Sequence, residues 1–154
     1  MSVDAPPSVL LLSGPNLNLL GEREPEIYGT ATLADHVALA SATADRLGLG
    51  LTHLQSNHEG ELVDALHRAR HETVAVVINA GALTHYAWSL HDALAAYPGV
   101  VVELHLSNPM TREPWRHTSV ISPVAAALIC GLGGAGYRLA VEAVAELLAP
   151  PSID

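Results

Sequence analysis

An arginine and a tyrosine lie five positions apart in the loop-forming stretch LSGPNLNLLGEREPEIYG, residues 12–29. A tyrosine titrates near pH ~10 in water, so a tyrosine that acts as a base at neutral pH needs a neighbour that stabilises its phenolate form. A guanidinium group does this because it stays protonated itself. We interpret Tyr28 as a candidate base beside Arg23. An ordinary tyrosine packed in a surface loop is the alternative.

The same stretch is bounded by two glycines, Gly21 and Gly29. Glycine adopts backbone conformations that other residues avoid, so it often marks the hinges of mobile loops. We therefore expect residues 21–29 to open for a ligand and to close over it as a lid.

A second group of reactive side chains lies in VELHLSN, residues 102–108. Glu103 and His105 are two positions apart, so they share one face of a strand, where the carboxylate can orient the imidazole and keep it protonated as a general acid. Ser107 and Asn108 follow and offer hydrogen-bond donors to an anion. A histidine with a purely structural role in the core is the alternative.

Two further arginines lie in TREPWRHTS, residues 111–119. Arg112 and Arg116 are four positions apart, so one helical turn would bring them to the same side. Two guanidinium groups on one side favour an anionic ligand, with solvated surface arginines as the alternative.

Two other motifs are weaker than they first look. GLGGAG, residues 131–136, fits the glycine pattern of dinucleotide sites, but it leaves no room for the strand and acidic residue that such sites need. We expect these glycines to allow close packing of a helix on a sheet. His67 and His71 have helical spacing without the glutamate of a zinc protease motif, so we expect an exposed helix surface and no metal site.

The composition bounds the class of protein. A chain of 154 residues with a net charge of −9 predicts one domain, residues 1–154, with flexible tails at 1–7 and 150–154. A net negative charge repels the phosphate backbone, so we exclude nucleic-acid binding. The cations are seven arginines and no lysine, which excludes Schiff-base chemistry.

The apolar runs are short. The run that begins at residue 8 lacks the preceding positive charge and the length of a signal peptide, and no stretch approaches the about 20 apolar residues of a membrane span. We therefore expect a cytoplasmic protein that does not bind membranes.

The elements that must hold these side chains can be predicted from periodicity. Short runs rich in Val, Leu and Ile predict buried strands at 8–14, 49–56, 74–81 and 100–107, and 124–131 is either a fifth strand or a helix. Helical patterns lie between them: one from an N-cap at Thr32 to Gly48, one on Leu62, Leu66 and Ala69, one over 84–96 and one over 135–148.

This alternation predicts the fold class α/β, a flavodoxin-like doubly wound five-stranded parallel sheet with helices on both faces. Ligands of such sheets bind beyond the carboxyl ends of the strands. The polar residues at 16, 55–59, 79–85 and 105–116 all follow strand ends, so they are expected to form one site.

Five ordered motifs together resemble the type II 3-dehydroquinate dehydratases over about residues 8–148. They are GPNLNLLGEREPEIYG, QSNHEGELVD, INAGALTHYAWSLHDA, VELHLSNPMTREPWRHTSVISP and GLGGAGY. The resemblance implies a lyase that removes water from 3-dehydroquinate to give 3-dehydroshikimate without metal or cofactor. The step serves aromatic amino-acid biosynthesis (the shikimate pathway) or quinate catabolism.

The resemblance also implies roles for single residues. Tyr28 would take a proton from carbon 2 of the substrate, with Arg23 holding it as phenolate and Arg112 adding to the local field. His105, oriented by Glu103, would protonate the hydroxyl that leaves carbon 1. Asn16 would stabilise the enolate through a water. Substrate-binding positions match at Asn79, His85, Asp92, Leu106, Ser107, Arg112 and Arg116.

Members of this family form trimers that assemble into dodecamers, in which the position of Asp92 reaches a neighbouring subunit's site. The resemblance therefore implies a homo-oligomer with a small anionic substrate. The alternative is a non-catalytic flavodoxin-like module that binds a nucleotide or a flavin, for which GLGGAG is the main argument.

Overall fold

A computed structural model describes residues 5–152. Its five strands are β1 (Ser8–Ser13), β2 (Gly50–Gln55), β3 (Ala75–Asn79), β4 (Val100–His105) and β5 (Ala127–Cys130). All pairs are parallel and the strand order is β2-β1-β3-β4-β5. This order is that of flavodoxin-like sheets, so the predicted fold class is confirmed. The segment at 124–131, predicted as strand or helix, contains the edge strand β5.

The helices are α1 (Pro25–Tyr28), α2 (Leu33–Arg46), α3 (Glu59–Glu72), α4 (Trp88–Ala95) and α5 (Ala135–Leu148). Residues of α3 and α4 form one apolar core with one face of the sheet, and residues of α2 and α5 form a second core with the other face. The central strands β1, β3 and β4 are buried between these layers, as their continuous apolar sequences predicted. The edge strands β2 and β5 are only partly buried, so the run at 49–56 forms the predicted strand but not a fully buried one.

Local sequence signals explain both ends of α2. Thr32 Oγ1 accepts the Asp35 N–H and the Asp35 carboxylate accepts the Thr32 N–H, which closes a capping box at the start of α2. Gly48 follows the helix with a φ of +73°. The predicted α2 is thus confirmed, and α5 has the bounds that the sequence predicted.

The prediction for α4 was wrong at its start. The helix begins at Trp88 rather than Thr84, because Gly81–His85 forms a 3₁₀ turn that ends at Tyr86. The carbonyl of Thr84 accepts the Val120 N–H at 2.8 Å, a contact with a segment remote in sequence. Local periodicity cannot predict such a contact.

The glycines of 131–136 act as expected. A Cβ on Gly136 would lie 2.9 Å from Leu104 Cδ1, and one on Gly134 would lie 2.7 Å from the His36 ring. Glycine therefore allows α5 to approach the sheet and α2 closely. Of the predicted flexible tails, residues 1–4 and 153–154 lie outside the described residues.

Candidate active site

A cleft opens at the carboxyl ends of the central strands. Ten residues predicted for the site line it: Asn16, Arg23, Tyr28, Asn79, His85, His105, Leu106, Ser107, Arg112 and Arg116. Pro15, Leu17, Gly81, Ala82 and Pro109 complete the lining and were not predicted. The remaining predicted residues are Glu103, which lies behind His105, and Asp92, which lies outside the cleft.

Tyr28 contacts two guanidinium groups in different ways. Arg112 Nη1 donates a hydrogen bond to the Tyr28 hydroxyl oxygen at 2.8 Å. Arg23 lies over the ring, with its Cζ 5.0 Å from the ring centroid, and pairs with Glu24 at 3.5 Å. The resemblance implied that Arg23 holds Tyr28 as phenolate and that Arg112 adds to the local field. In the structure Arg112 donates to the oxygen and also lies over the ring, with its Cζ 5.2 Å from the centroid, whereas Arg23 makes the cation–π contact alone.

Tyr28 owes its position to the short helix α1. The loop turns at Glu24, whose φ is +39°, and Pro25 begins one helical turn that ends at Tyr28. Gly29 follows with a φ of +81° and lets the chain leave in another direction. The sequence predicted a loop here, and this turn is what carries the phenol to Arg112.

His105 is the last residue of β4 and lies against Glu103. Its Nε2 is 3.2 Å from Glu103 Oε2, so the predicted pair on one strand face is confirmed. A carboxylate can only accept here, so Nε2 carries a proton toward Glu103 and Nδ1 is the nitrogen that can exchange a proton elsewhere.

Glu103 is 1% exposed, and its oxygens are fully engaged. Ser119 Oγ donates to Oε1 at 2.6 Å and Ser122 Oγ donates to Oε2 at 2.8 Å. Burial alone would raise the pKa of Glu103, but the hydrogen bonds from His105 and the two serines outweigh it and leave the pKa below its ordinary value. The carboxylate is therefore ionised at neutral pH.

His85 enters the cleft from the 3₁₀ turn before α4. Its Nδ1 donates to the Thr118 carbonyl oxygen at 2.7 Å, because a carbonyl can only accept. Burial lowers the pKa of His85, which the bond to Thr118 opposes and the nearby His105 and Arg116 reinforce. A neutral His85 presents Nε2 as an acceptor for a hydroxyl group.

Arg112 and Arg116 are held by one acid that the sequence analysis missed. Arg116 Nε donates to Glu113 Oε2 at 2.6 Å, and Arg112 Nε lies 3.9 Å from the same oxygen. The two arginines were expected on one helical turn. They instead belong to separate segments, since a 3₁₀ turn spans Pro114–His117 and Arg112 precedes it.

Asn16 lies in the left-handed region, with a φ of +68°. Its N–H donates to Asn57 Oδ1 at 3.0 Å, and Gln55 Nε2 donates to the same oxygen at 3.1 Å. Gln55 and Asn57 therefore fix the backbone of Asn16 at the cleft. The sequence placed 55–59 at a strand end, but it gave no signal for this contact.

Asp92 is an exposed residue of α4 and does not line the cleft of its own chain. The sequence assigned it to a neighbouring subunit's site, so its position is compatible with that role. Among residues 5–152, no group of three or more His, Cys, Asp or Glu side chains is arranged to hold a metal ion. None of the described helices has the length and apolarity needed to cross a bilayer.

A flavodoxin-like sheet with a phenol, two imidazoles and three guanidinium groups on one cleft is the arrangement of an α/β enzyme. Comparison with known proteins specifies the family. The family model described as dehydroquinase class II matches residues 7–145. The chain belongs to this family, so the resemblance seen in the sequence is confirmed. The prediction of an enzyme is confirmed with it, against the alternative of a non-catalytic binding module.

Similar proteins include a 3-dehydroquinate dehydratase of Corynebacterium glutamicum, which is 55% identical over 92% of this chain and 98% of that protein. A catabolic 3-dehydroquinase of Aspergillus clavatus is 54% identical over 90% of this chain and 92% of that protein. The crystal structure of a type II dehydroquinase from Propionibacterium acnes superposes with a TM-score of 0.87 at 40% identity, over 90% of this chain and 96% of that one.

Proposed function

We propose that the protein dehydrates 3-dehydroquinate to 3-dehydroshikimate with its own side chains as base and acid. The observation that carries the proposal is the bond from Arg112 to the Tyr28 hydroxyl, on the same cleft as the Glu103-paired imidazole of His105. Relatives that are 52–57% identical carry the name 3-dehydroquinate dehydratase.

The first step is removal of a proton from carbon 2, next to the ketone. The Tyr28 phenolate takes this proton, and the electron pair of the C–H bond moves toward the ketone oxygen to form an enolate. The Arg112 hydrogen bond and the charge of Arg23 place positive charge at the phenol oxygen and over its ring. Both guanidinium groups are in place before the reaction, so no reorganisation is needed.

The enolate carries negative charge on the former ketone oxygen. Asn16 stabilises that charge through a bound water. The backbone N–H of Asn16 is itself held by Asn57 Oδ1. The enolate then collapses, the double bond forms between carbons 1 and 2, and the C1–O bond breaks. His105 gives its proton to the departing hydroxyl, which leaves as water. Glu103 stabilises the imidazolium before the transfer.

The substrate carboxylate binds among Asn79, Leu106 and Ser107 at the strand ends. Ser107 Oγ already accepts a hydrogen bond from Arg112 Nη1 at 3.3 Å, which leaves its own proton for the carboxylate. The ring hydroxyls bind His85 and Arg116, whose donors and acceptors face the same cleft.

The assembly and setting are further parts of the proposal. Asp92 contributes to a neighbouring subunit's cleft in a dodecamer of trimers, as the family resemblance implies. The relatives include proteins named 3-dehydroquinate dehydratase and proteins named catabolic 3-dehydroquinase, and one reaction serves both biosynthesis and catabolism. The cytoplasmic location stays a prediction.

The test is addition of 3-dehydroquinate to the purified protein while the ultraviolet absorbance of the conjugated enone is recorded. We expect absorbance to rise with the wild type and with Tyr86→Phe, which changes an exposed tyrosine outside the cleft. We expect Tyr28→Phe to lose several orders of magnitude in turnover while folding normally, because the base is gone. No signal from folded wild type contradicts the proposed function, and substantial activity of Tyr28→Phe contradicts the assigned base.

A further inference from the structure

Two serine hydroxyls lie behind the imidazole of His105 and do not line the cleft. Ser119 Oγ is 2.6 Å from Glu103 Oε1, and Ser122 Oγ is 2.8 Å from Oε2. Together with His105 Nε2 at 3.2 Å, they bring three donors to a carboxylate that is 1% exposed. Burying a carboxylate without donors costs several kcal/mol, so such groups become neutral unless they are paired.

The direction of the Ser119 hydrogen bond is fixed by its other contacts. Ser119 Oγ accepts the backbone N–H of Ile121 at 3.1 Å and that of Ser122 at 3.0 Å. A hydroxyl has one proton and two lone pairs. With both lone pairs engaged, its proton has one destination, Glu103. Ser119 is therefore an obligate donor to that carboxylate.

The segment Thr118–Ser122 holds both serines and is anchored on the neighbouring elements. The N–H of Val120 donates to the Thr84 carbonyl at 2.8 Å, and the imidazoles of His85 and His91 bind the carbonyls of Thr118 and Val120 at 2.7 and 2.6 Å. One segment thus positions His85 directly and His105 through Glu103.

We propose that Ser119 and Ser122 are positioning residues that keep Glu103 ionised and aimed at His105, so that the imidazole stays protonated for its acid step. This inference rests on the proposed function. The hydroxyls touch neither the substrate nor the reacting atoms. They act through the carboxylate, whose negative charge favours the imidazolium form of His105.

Other charged and titratable groups face this pair and stay constant in the test. They are His85 on the 3₁₀ turn before α4, Arg116 and His117 on the turn Pro114–His117, and Cys130 of β5, which is in register with His105. The hydrogen bond from His105 favours the ionised form of Glu103. Without the two serines, burial opposes that form, and we expect burial to dominate.

The experiment compares Ser122→Ala, the double variant Ser119→Ala/Ser122→Ala and a control, Ser41→Ala, which lies on α2 away from the cleft. Ser122→Ala removes one donor only, whereas the double variant also removes the acceptor for two backbone N–H groups. Ser122→Thr keeps the hydroxyl and serves as the conservative variant. Circular dichroism verifies folding of each.

We expect the alkaline limb of kcat against pH to move to lower pH in Ser122→Ala and further in the double variant. At alkaline pH kcat falls roughly 10-fold or more, because a general acid contributes 10²- to 10⁴-fold. KM stays nearly constant, since neither serine lines the substrate cleft. Ser122→Thr restores the limb, and Ser41→Ala leaves it unchanged.

A second readout does not depend on turnover. Difference infrared spectra report whether Glu103 carries a proton, with the band assigned by its loss in Glu103→Gln. We expect a protonated carboxyl at neutral pH in the double variant and a carboxylate in the wild type.

Unchanged pH limbs with an ionised Glu103 in folded Ser122→Ala and double variants would overturn the inference. A double variant that fails to fold leaves Ser122→Ala to decide. The two proposals can fail separately. If the wild type is inactive but Glu103 is protonated in the double variant, the proposed function is contradicted, while the role of the two hydroxyls in keeping Glu103 ionised is supported.

Discussion

The phenol of Tyr28 lies between two cations with different geometries. Arg112 binds its oxygen and also lies over its ring, whereas Arg23 makes only the ring contact. A donor on the oxygen acts where a negative charge would lie, whereas a cation over the ring acts on the quadrupole at longer range. Arg112 is therefore the arginine in direct contact with the reacting oxygen.

This difference predicts different pH profiles for two arginine variants. We expect Arg112→Gln to move the acid limb of kcat to higher pH more than Arg23→Gln, because only the former removes a charged donor from the oxygen. Both should lower turnover. Arg68→Gln, on an exposed position of α3, is the matched control. Profiles of the enone assay over roughly pH 5 to 10 would measure this shift. A larger shift in Arg23→Gln contradicts the ranking.

At the scale of elements, the segment at 21–29 ends at a glycine whose backbone conformation restricts substitution. Gly29 has a φ of +81° and nothing within 4 Å of a Cβ built on it. A side chain at this position would meet no steric clash, so any loss of stability on substitution comes from the backbone conformation. Gly60, in α3, also has open space around its Cβ but no positive φ. The two positions allow one substitution to be tested in two backbone conformations.

We expect Gly29→Ala to lower the free energy of unfolding by about 1–3 kcal/mol, because its φ of +81° with a ψ of −176° lies in a region that is essentially confined to glycine. Gly60→Ala should raise it by about 0.5–1 kcal/mol, because alanine favours a helix. Chemical denaturation of both variants gives these values. A gain in stability for Gly29→Ala would show that the loop relaxes to another conformation.

The sequence predicted the elements well where the signal is local. Continuous apolar runs identified the central strands, and the Thr32 cap identified the start of α2. The four-residue helix α1 was missed, because one turn has no periodicity and depends on its contacts. The predicted start of α4 at Thr84 was wrong, because the Thr84 carbonyl accepts a hydrogen bond from the Val120 N–H.

The site was predictable to the extent that its residues follow strand ends. Parallel strands bring their carboxyl ends to one edge, so Asn79 and His105 were expected together. Contacts between remote segments were not predictable. Asn57 on Asn16, Glu113 between the arginines and the serines on Glu103 all join residues whose meeting depends on the folded chain.

At the scale of the whole molecule, the cleft and the rest of the chain differ in the sign of their charge. The chain carries a net charge of −9, yet three of its seven arginines line one cleft. The surface as a whole repels anions, and the cleft attracts them at short range. The fold thus provides one place for an anionic substrate.

Buried titratable groups predict how the protein responds to acid. His36 is 4% exposed and stacks on Tyr137 at 4.8 Å. Burial lowers the pKa of His36, which the Asp35 carboxylate only partly opposes. The unfolded state then binds a proton that the folded state does not, so stability falls as the pH drops through about 6.5. Glu103, whose pKa is lowered, adds a further loss at lower pH.

We expect His36→Gln to flatten the fall of the unfolding free energy between about pH 7 and 5, although its value at pH 7 decreases with the lost stacking. His67→Gln, at an exposed position of α3, should leave the slope unchanged. Urea denaturation at several pH values measures the slope. An equally steep slope in His36→Gln would assign the acid sensitivity to other groups, of which His53 is the next, since burial also lowers its pKa.

The proposed role of Asp92 concerns the assembly rather than the single chain. Asp92 is exposed on α4 and absent from the lining of its own cleft, so a catalytic contribution must reach a second copy. In a closed ring of identical subunits each site then combines residues of two chains. Asp92→Ala and Tyr28→Phe would each inactivate every site of their own homo-oligomer, but they would damage different sides of the shared site.

Mixed oligomers distinguish the two arrangements. If Asp92 acts on a neighbouring subunit, random co-assembly of equal amounts of Asp92→Ala and Tyr28→Phe chains gives about a quarter of sites with both native residues, by the closure of a symmetric ring. If it acts on its own chain, every Tyr28 site carries the Asp92 substitution and activity stays absent. Unfolding and refolding the two variants together, then assaying enone formation against each variant refolded alone, measures this fraction. Recovered activity supports the shared site, and none from correctly sized oligomers contradicts it.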